Sequence, residues 1–224
     1  MDDTGNKEEP EVIAIVDYGM GNLRSVEKAL QKLGHQAAIT ASPADIHAAE
    51  RVILPGVGAF GAAMANLAAA RNGDAPLVDA VSQAARSGRP FLGICLGMQL
   101  LLSESEELGC YRGLDLVPGQ VARFFVNGGG PIKIPHMGWN ALQLTRPSPL
   151  LQGVPDGAMV YFVHSYVCRP EDPAAVVATA EHGGPFCAVL QRGNIFATQF
   201  HPEKSGEVGL RMLDNFARLE SDGV

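Results

Sequence analysis

Short apolar runs alternate with helical patterns along the first half of the chain. Such runs predict strands at 11–17, 36–40 and 51–54, of which the first is expected to be buried. Between the first two strands, apolar residues recur on one helical face until Gly34 ends the helix. This alternation predicts an α/β fold with a doubly wound, mostly parallel central sheet and flanking helices.

Three more helices are predicted around the third strand. A short one begins at Ser42 and Pro43, residue types that favour a helix N-terminus. Two alanine-rich helices are predicted at 59–70 and 75–87. The insert at 71–76 between them is predicted to be a surface loop.

The pattern changes after residue 103. Residues 104–107 are acidic and are interpreted as solvent-exposed, and residues 117–125 alternate like a half-exposed strand. We therefore expect an antiparallel extension of the sheet in this half of the chain. Further elements are predicted as a turn at 127–131, strands at 132–135, 159–168, 176–180, 187–191 and 195–200, and a final helix marked by Val208, Met212, Leu213 and Phe216.

Composition narrows the class of protein. The 224 residues suffice for one three-layer α/β domain, assigned to 11–220, after a tail at 1–10 that is predicted to be disordered. A net charge of −7, from 17 basic and 24 acidic residues, argues against nucleic-acid binding. No run approaches the ~20 apolar residues of a membrane span, and the tail lacks the apolar core of a secretory signal. We expect a cytoplasmic enzyme.

The cysteines do not suggest a metal site. The chain contains four, and no two of them form a C-x-x-C pair, so neither a zinc site nor a dithiol motif is predicted. Reduced cytoplasm is the simplest setting for them. We expect no metal and no cofactor.

Residues 89–102 predict a buried strand that turns at once into a helix. Cys95 lies at the junction, and Gly93 and Gly97 lack the Cβ atoms that would collide in so tight a turn. A thiol at a helix N-terminus is placed to become a thiolate. For a lone Gly-x-Cys-x-Gly pattern, a structural cysteine before an apolar helix is the alternative, and this segment alone does not exclude it.

A second strand-like run, 195–200, ends in His201, Pro202 and Glu203. Strand ends of one parallel sheet meet at its carboxyl edge, so these side chains would lie near Cys95. On an extended segment His201 and Glu203 would point the same way. The three would form a nucleophile, a base and an orienting acid. A polar turn is the alternative for the tripeptide alone, and its combination with the cysteine turn favours the triad.

A glycine-rich loop follows the third strand. Gly56 and Gly58, on either side of Val57, would let main-chain N–H groups face a developing oxyanion. An ordinary strand-to-helix turn is the alternative explanation.

Residues 93–99 and 199–204 together resemble the class I, or triad, glutamine amidotransferases. The resemblance implies that Cys95 attacks the carboxamide of glutamine and releases ammonia. Four further segments, at 17–26, 55–60, 135–140 and 161–166, resemble the glutaminase subunits of imidazole glycerol phosphate synthases, which act in histidine biosynthesis.

This resemblance also implies roles for further residues. Gly56 and Val57 would form the centre of an oxyanion strand, with the Leu96 N–H as second donor, and Gln99, Ser165 and Tyr166 would hold glutamine. Asn22, Trp139 and Lys204 would contact a (β/α)₈ synthase subunit. That subunit would form a heterodimer with this chain and use the channelled ammonia to make imidazole glycerol phosphate and AICAR. The alternative for Trp139 is a structural aromatic residue in the core, and the alternative for Lys204 is an ordinary exposed lysine. The histidines other than His201 are assigned no role.

Three other functions remain open. The chain could be a triad amidotransferase that serves another synthase, such as those for anthranilate, carbamoyl phosphate or pyridoxal phosphate, although the segments at 17–26, 135–140 and 161–166 argue against this. It could also be a cysteine hydrolase that acts unaided on γ-glutamyl bonds. The third possibility is a non-catalytic scaffold that keeps the fold to bind a partner, and the presence of Cys95, His201 and Glu203 argues against it. Such a scaffold would not be labelled at Cys95 by a glutamine-like electrophile.

Overall fold

The structure of the protein is a computed structural model that describes residues 12–72, 75–124 and 132–220. Its strands are β1 (Val12–Val16), β2 (Gln36–Thr40), β3 (Arg51–Gly56), β4 (Arg71–Asn72), β5 (Ala75–Pro76), β6 (Phe91–Cys95), β7 (Leu102–Ser105), β8 (Tyr111–Arg112), β9 (Val117–Arg123), β10 (His136–Ala141), β11 (Gln143–Leu144), β12 (Met159–His164), β13 (Tyr166–Pro170), β14 (Val176–Glu181), β15 (Pro185–Arg192) and β16 (Ile195–Thr198). Its α-helices are α1 (Leu23–Lys32), α2 (Pro43–Ala48), α3 (Phe60–Ala69), α4 (Leu77–Arg86), α5 (Leu96–Leu100) and α6 (Gly206–Ala217).

Within the described residues, the central sheet has eight strands in the order β2-β1-β3-β6-β16-β15-β14-β11. The first five are parallel, and the last three run antiparallel to their neighbours. The predicted α/β fold, with a mostly parallel sheet and an antiparallel extension, is confirmed. Because β6 lies between β3 and β16, the carboxyl ends of these three strands form one edge.

Alternate residues of the parallel strands enter two hydrophobic cores on opposite faces of the sheet. On β1, Ile13 and Ile15 join the core that contains the apolar faces of α1 and α6. Ala14 and Val16 join the other core, with α2, α3 and α4. Helices therefore cover both faces of the sheet, as expected of the doubly wound sheet that the sequence predicted.

Several predicted elements differ in the structure. Residues 104–107 are not merely a solvated stretch, because β7 pairs with β8 and β9 and buries Ser105. The insert at 71–76 is not a simple loop, since β4 pairs with β5. No strand forms at 132–135, and β10 begins at His136 instead. The predicted tail at 1–10 and turn at 127–131 lie outside the described residues.

The single strand predicted at 159–168 is divided at Ser165. β12 pairs with β10, whereas β13 pairs with β9 in a separate four-stranded sheet of order β13-β9-β7-β8. The division places Ser165 between two sheets rather than within a ladder. None of the helices in the described ranges is both long and apolar enough to cross a membrane.

Candidate active site

Cys95 occupies a strained turn between β6 and α5. Its φ of 55° lies in the left-handed region that residues with a side chain rarely adopt. A Cβ at Gly97 would overlap the carbonyl oxygen of Leu54, and one at Gly93 would lie 2.9 Å from the carbonyl oxygen of Gly97. The predicted requirement for both glycines is confirmed. The helix is shorter than predicted, because it ends at Leu100 and β7 follows almost at once.

The sheet register brings three strand ends together around Cys95. Cys95 on β6 is paired with Gly56 on β3, and Ile94 is paired with Thr198 on β16. A cavity of about 320 Å³ opens at this edge. Its lining residues are Val57, Gly58, Cys95, Leu96, Gln99, Glu107, Val163, His164, Ser165, Tyr166 and His201.

His201 lies on this cavity and is hydrogen-bonded to Glu203. The distance from His201 Nδ1 to Glu203 Oε1 is 2.9 Å, and the two side chains are 2% and 1% exposed. The segment is not extended as predicted, since Pro202–Lys204 forms a 3₁₀ turn after His201. Ser205 Oγ holds this turn by donating to the His201 carbonyl oxygen at 2.7 Å and accepting from Tyr161 N at 3.0 Å.

The surroundings of His201 favour its charged form. Burial lowers its pKa, but the interactions with Cys95 and Glu203 outweigh burial and raise the pKa from 6.5 to about 9. Its Nε2 atom is buried and makes no hydrogen bond of normal geometry to the described residues. With Nδ1 bound to Glu203, Nε2 is the nitrogen that can exchange a proton with Cys95 or with a ligand.

The residues predicted to surround a substrate lie at one place. Leu96, Gln99, Ser165 and Tyr166 line the cavity together with Val57 and Gly58. Gly56 lies beside Cys95 in the sheet rather than on the cavity wall, and a Cβ there would collide with the Tyr18 hydroxyl.

Four groups at the cavity were not predicted from the sequence: Gln199, the Val163 carbonyl, Glu107 and His164. Gln199 is fully buried, and its Nε2 lies 3.9 Å from Cys95 Sγ, which also lies 3.9 Å from the Val163 carbonyl oxygen. Glu107 lines the cavity and accepts a hydrogen bond from Phe60 N at 2.7 Å, at the start of α3. His164 lines the same cavity. Gln199 had a usable signal, because it is the first residue of the 199–204 segment that contains His201.

The three residues expected at a partner interface lie on three separate elements of the structure. Trp139 is 55% exposed on β10, which excludes the alternative of a core aromatic, and its ring packs edge-on against Tyr161. Lys204 is exposed at the end of the 3₁₀ turn. Asn22 lies outside the cavity that contains Cys95, at the start of α1, where its Oδ1 accepts from Ser25 Oγ at 2.8 Å.

Comparison with known sequences identifies the family. The family model described as "Glutamine amidotransferase class-I" matches residues 14–219. The imidazole glycerol phosphate synthase subunit HisH of Syntrophotalea carbinolica is 51% identical over 211 residues, covering 93% of this chain and all of that protein. The HisH subunit of Halobacterium salinarum is 50% identical over 229 aligned residues, covering 99% of this chain and all of its own.

Solved structures agree at the level of the fold. The structure of PurLQS from Thermotoga maritima matches with a TM-score of 0.68 at 20% identity, over 93% of this chain and 98% of that one. A crystal structure of a glutamine amidotransferase matches with a TM-score of 0.66 at 19% identity, over 92% of this chain and 99% of that one. The full-length match to the family model and to the relatives near 50% identity leads to one conclusion. The chain belongs to the class-I glutamine amidotransferases and, within them, to the HisH subunits of imidazole glycerol phosphate synthase.

Proposed function

We propose that this chain hydrolyses glutamine to glutamate and ammonia through a triad of Cys95, His201 and Glu203, and passes the ammonia to a synthase subunit of histidine biosynthesis. The observation that carries the proposal is the convergence of Cys95 and His201 on one cavity, with Glu203 hydrogen-bonded to His201. The HisH relatives, which this chain covers over their full length, support the assignment to histidine biosynthesis.

The reaction begins from the ion pair in which His201 Nε2 has taken the proton of the Cys95 thiol, which agrees with the charged form that the surroundings of His201 favour. The thiolate attacks the carboxamide carbon of glutamine, and the carbonyl oxygen becomes an oxyanion. His201 then gives its proton to the amide nitrogen, the C–N bond breaks, and ammonia leaves a thioester on Cys95. Water, deprotonated by His201, attacks the thioester, and the sulfur leaves as thiolate with release of glutamate. Glu203 stabilises the imidazolium that forms twice in this cycle.

Main-chain N–H groups at the ends of β3 and β6 would bind the oxyanion. The Leu96 N–H follows the nucleophile directly, and the strand around Gly56 and Val57 runs beside it in register. Losing one such donor typically lowers the rate by about 10²–10³. The conformation of the loop from Gly56 to Gly58 can therefore turn the whole site on or off.

The cavity also has groups suited to the amino-acid end of glutamine. Glu107 is the carboxylate among its lining residues, and a carboxylate favours the α-ammonium group. Gln99, Ser165 and Tyr166 offer amide, hydroxyl and main-chain groups for the rest of the substrate.

The partner is a (β/α)₈ synthase subunit that forms a heterodimer with this chain in the cytoplasm. It would receive ammonia through a channel and convert a phosphoribulosyl-formimino carboxamide ribonucleotide into imidazole glycerol phosphate and AICAR. Asn22, Trp139 and Lys204 would lie at the interface. The exposed Trp139 supports this, because a large aromatic side chain left in solvent is typical of a binding surface.

The test is glutamate release from glutamine by the purified chain, first alone and then with the synthase subunit, which carries its ribonucleotide ligand. We expect little release from the chain alone and a large increase in the complex. Strong release that the partner does not alter would favour the free-standing hydrolase instead.

Two cysteine-to-serine substitutions, one at the proposed nucleophile and one elsewhere, form a variant and its matched control. Cys95→Ser should abolish glutamine-dependent synthesis by the complex but leave ammonia-dependent synthesis intact. Cys110→Ser, which removes an exposed free thiol outside the cavity, should leave both rates unchanged. Loss of both rates in Cys95→Ser would contradict the division of labour between the subunits.

A further inference from the structure

Three side chains that the triad does not use form a continuous line of hydrogen bonds behind the cavity. Asn140 Nδ2 lies 3.2 Å from His136 Nε2, and His136 Nδ1 lies 3.0 Å from His164 Nε2. His164 Nδ1 lies 2.9 Å from the main-chain carbonyl oxygen of Tyr166. We call this line the Asn140–His136–His164 relay. It joins strand β10 to the segment that follows β12.

The partners of the relay determine the direction of every bond. The Tyr166 carbonyl can only accept, so His164 Nδ1 carries a proton and its neutral Nε2 is an acceptor. His136 Nδ1 must then be the donor to that acceptor, which leaves His136 Nε2 to accept from Asn140. The Asn140 amide is oriented by two other bonds, because Nδ2 donates to the Glu181 carbonyl oxygen at 2.8 Å and Oδ1 accepts from Ala141 N at 2.8 Å.

The surroundings keep both rings neutral. Burial, with smaller contributions from neighbouring histidines, lowers the pKa of His136 to about 4 and that of His164 to about 3, although the hydrogen bond to the Tyr166 carbonyl acts in the opposite direction on His164. Phe124, Phe162 and Phe186 pack against the two imidazoles, and His182 stacks on His136 at a ring-centroid distance of 4.3 Å. Within the described residues, no group of three or more histidine, cysteine, aspartate or glutamate side chains is arranged to hold a metal ion.

The relay continues into the cavity. The Tyr166 carbonyl that it holds also accepts from Gln99 Nε2 at 3.2 Å, and the same Nε2 lies 3.3 Å from Gln199 Oε1. Gln199 Nε2 in turn lies 3.9 Å from Cys95 Sγ. Hydrogen bonds thus lead from strand β10 through the cavity wall to the proposed nucleophile.

Strand β10 presents its other face to solvent. His136 and Asn140 point inward, whereas Met137 and Trp139, which alternate with them, are 60% and 55% exposed. A movement of β10 would therefore act directly on the first two members of the relay.

We propose that Asn140, His136 and His164 are positioning residues, whose relay fixes the Tyr166 carbonyl in the wall of the glutamine cavity relative to strand β10. The relay makes the affinity for glutamine depend on the position of that strand. The inference rests on the proposed glutaminase function, because glutamine is the ligand whose binding site it shapes.

A pair of amide substitutions at His136 tests the relay in the complex with the synthase subunit. In His136→Asn the amide nitrogen replaces Nδ1 and still donates to His164, while Asn140 keeps its bond to the Glu181 carbonyl. In His136→Gln the amide replaces Nε2, so nothing donates to His164. We expect KM for glutamine to rise about tenfold in His136→Gln and less than twofold in His136→Asn, with kcat little changed in both.

A packing role predicts the opposite order, because glutamine is closer in volume to histidine than asparagine is. Equal KM values, or the higher KM in His136→Asn, would overturn the relay. His164→Asn and His164→Gln should show the same order of KM values, since only the asparagine can donate to the Tyr166 carbonyl. This second pair replaces the first as the test if the His136 variants do not fold. His182→Phe is the control, because it keeps an aromatic ring against His136 and removes no hydrogen bond of the relay, and it should leave KM unchanged.

A spectroscopic measurement separates failure of the relay from failure of the proposed function. In ¹⁵N-histidine-labelled full chain, long-range ¹H–¹⁵N correlations should show the Nδ1–H tautomer at both His136 and His164. An Nε2–H tautomer or an imidazolium at either site would overturn the relay whatever the activity. Absence of glutamine hydrolysis by the wild-type complex, with both Nδ1–H tautomers present, would instead contradict the glutaminase function and with it the link between the relay and glutamine affinity.

Discussion

Replacement of Glu203 by glutamine should move the alkaline limit of glutamine hydrolysis to lower pH. Ammonia leaves with a proton from the His201 imidazolium, so the rate falls as pH rises through the pKa of His201, which is about 9. Glutamine at position 203 retains an oxygen that can accept from Nδ1 but removes the negative charge that stabilises the imidazolium.

The structure sets the size of the effect. Raising the pKa of His201 from 6.5 to about 9 corresponds to roughly 3 kcal/mol in favour of the charged ring. Cys95 and Glu203 produce this preference against the opposing effect of burial, so their combined attraction exceeds it. If Glu203 supplies about half, its loss removes on the order of 1–2 kcal/mol and lowers the pKa of His201 by about one unit.

The assay is the initial rate of glutamate release by the complex at glutamine concentrations well below KM, between pH 6 and pH 10, because kcat/KM reports the pKa values of the free enzyme. Glu207→Gln removes an equal charge from the exposed first turn of α6 and should leave the profile unchanged. Because the pKa of His201 is raised in the folded state, the charged ring adds to the unfolding free energy. This contribution is complete below pH 6.5 and is lost as pH rises through about 9. The cost of Glu203→Gln to the unfolding free energy should shrink over the same interval. An alkaline limit that stays near pH 9 would refute the assigned role of Glu203.

Three other substitutions test separate parts of the structure. Tyr18→Phe should raise the unfolding free energy by about 1 kcal/mol in denaturant titration, because the buried Tyr18 hydroxyl has no partner among the described residues, and a loss would reveal one. Gly97→Ala should cost about 3 kcal/mol or prevent folding, since its Cβ would overlap the Leu54 carbonyl, and a normal melting temperature would contradict the turn geometry. Trp139→Ala should leave the melting temperature of the isolated chain nearly unchanged but abolish stimulation by the synthase subunit, so undiminished stimulation would remove Trp139 from the interface.

Much of the architecture follows from local patterns. Strand β1 was predicted within a residue of its bounds, because a strand buried on both faces has an unbroken apolar run between turn residues. The turn at Cys95 was equally predictable, since a glycine two residues before and two residues after the cysteine is a local signal. Gly93 is required by a contact within the turn, whereas Gly97 is required by the Leu54 carbonyl oxygen on the neighbouring strand β3. The bond between His201 and Glu203 joins residues only two apart, although the 3₁₀ turn that forms it was not foreseen.

Other features depend on strand pairing between distant parts of the chain. The break at Ser165 occurs because β12 and β13 pair with different strands, and no local signal at 159–168 identifies those partners. Glu107 belongs to an acidic run that the sequence predicted to be solvent-exposed. In the structure it follows β7 and lies against the start of α3 and the cavity.

The sequence by itself determined the fold class, the family, and the residues expected to carry the chemistry. Only the tertiary structure decided which other residues hold these catalytic candidates in position. His136 and His164 received no role from the sequence, yet they lie opposite each other in the β10–β12 register, and His182 joins them from the turn before β15. The physical reason is that apolar periodicity and turn chemistry act over a few residues, whereas a hydrogen bond between buried rings requires the registers of several distant strands to be set together.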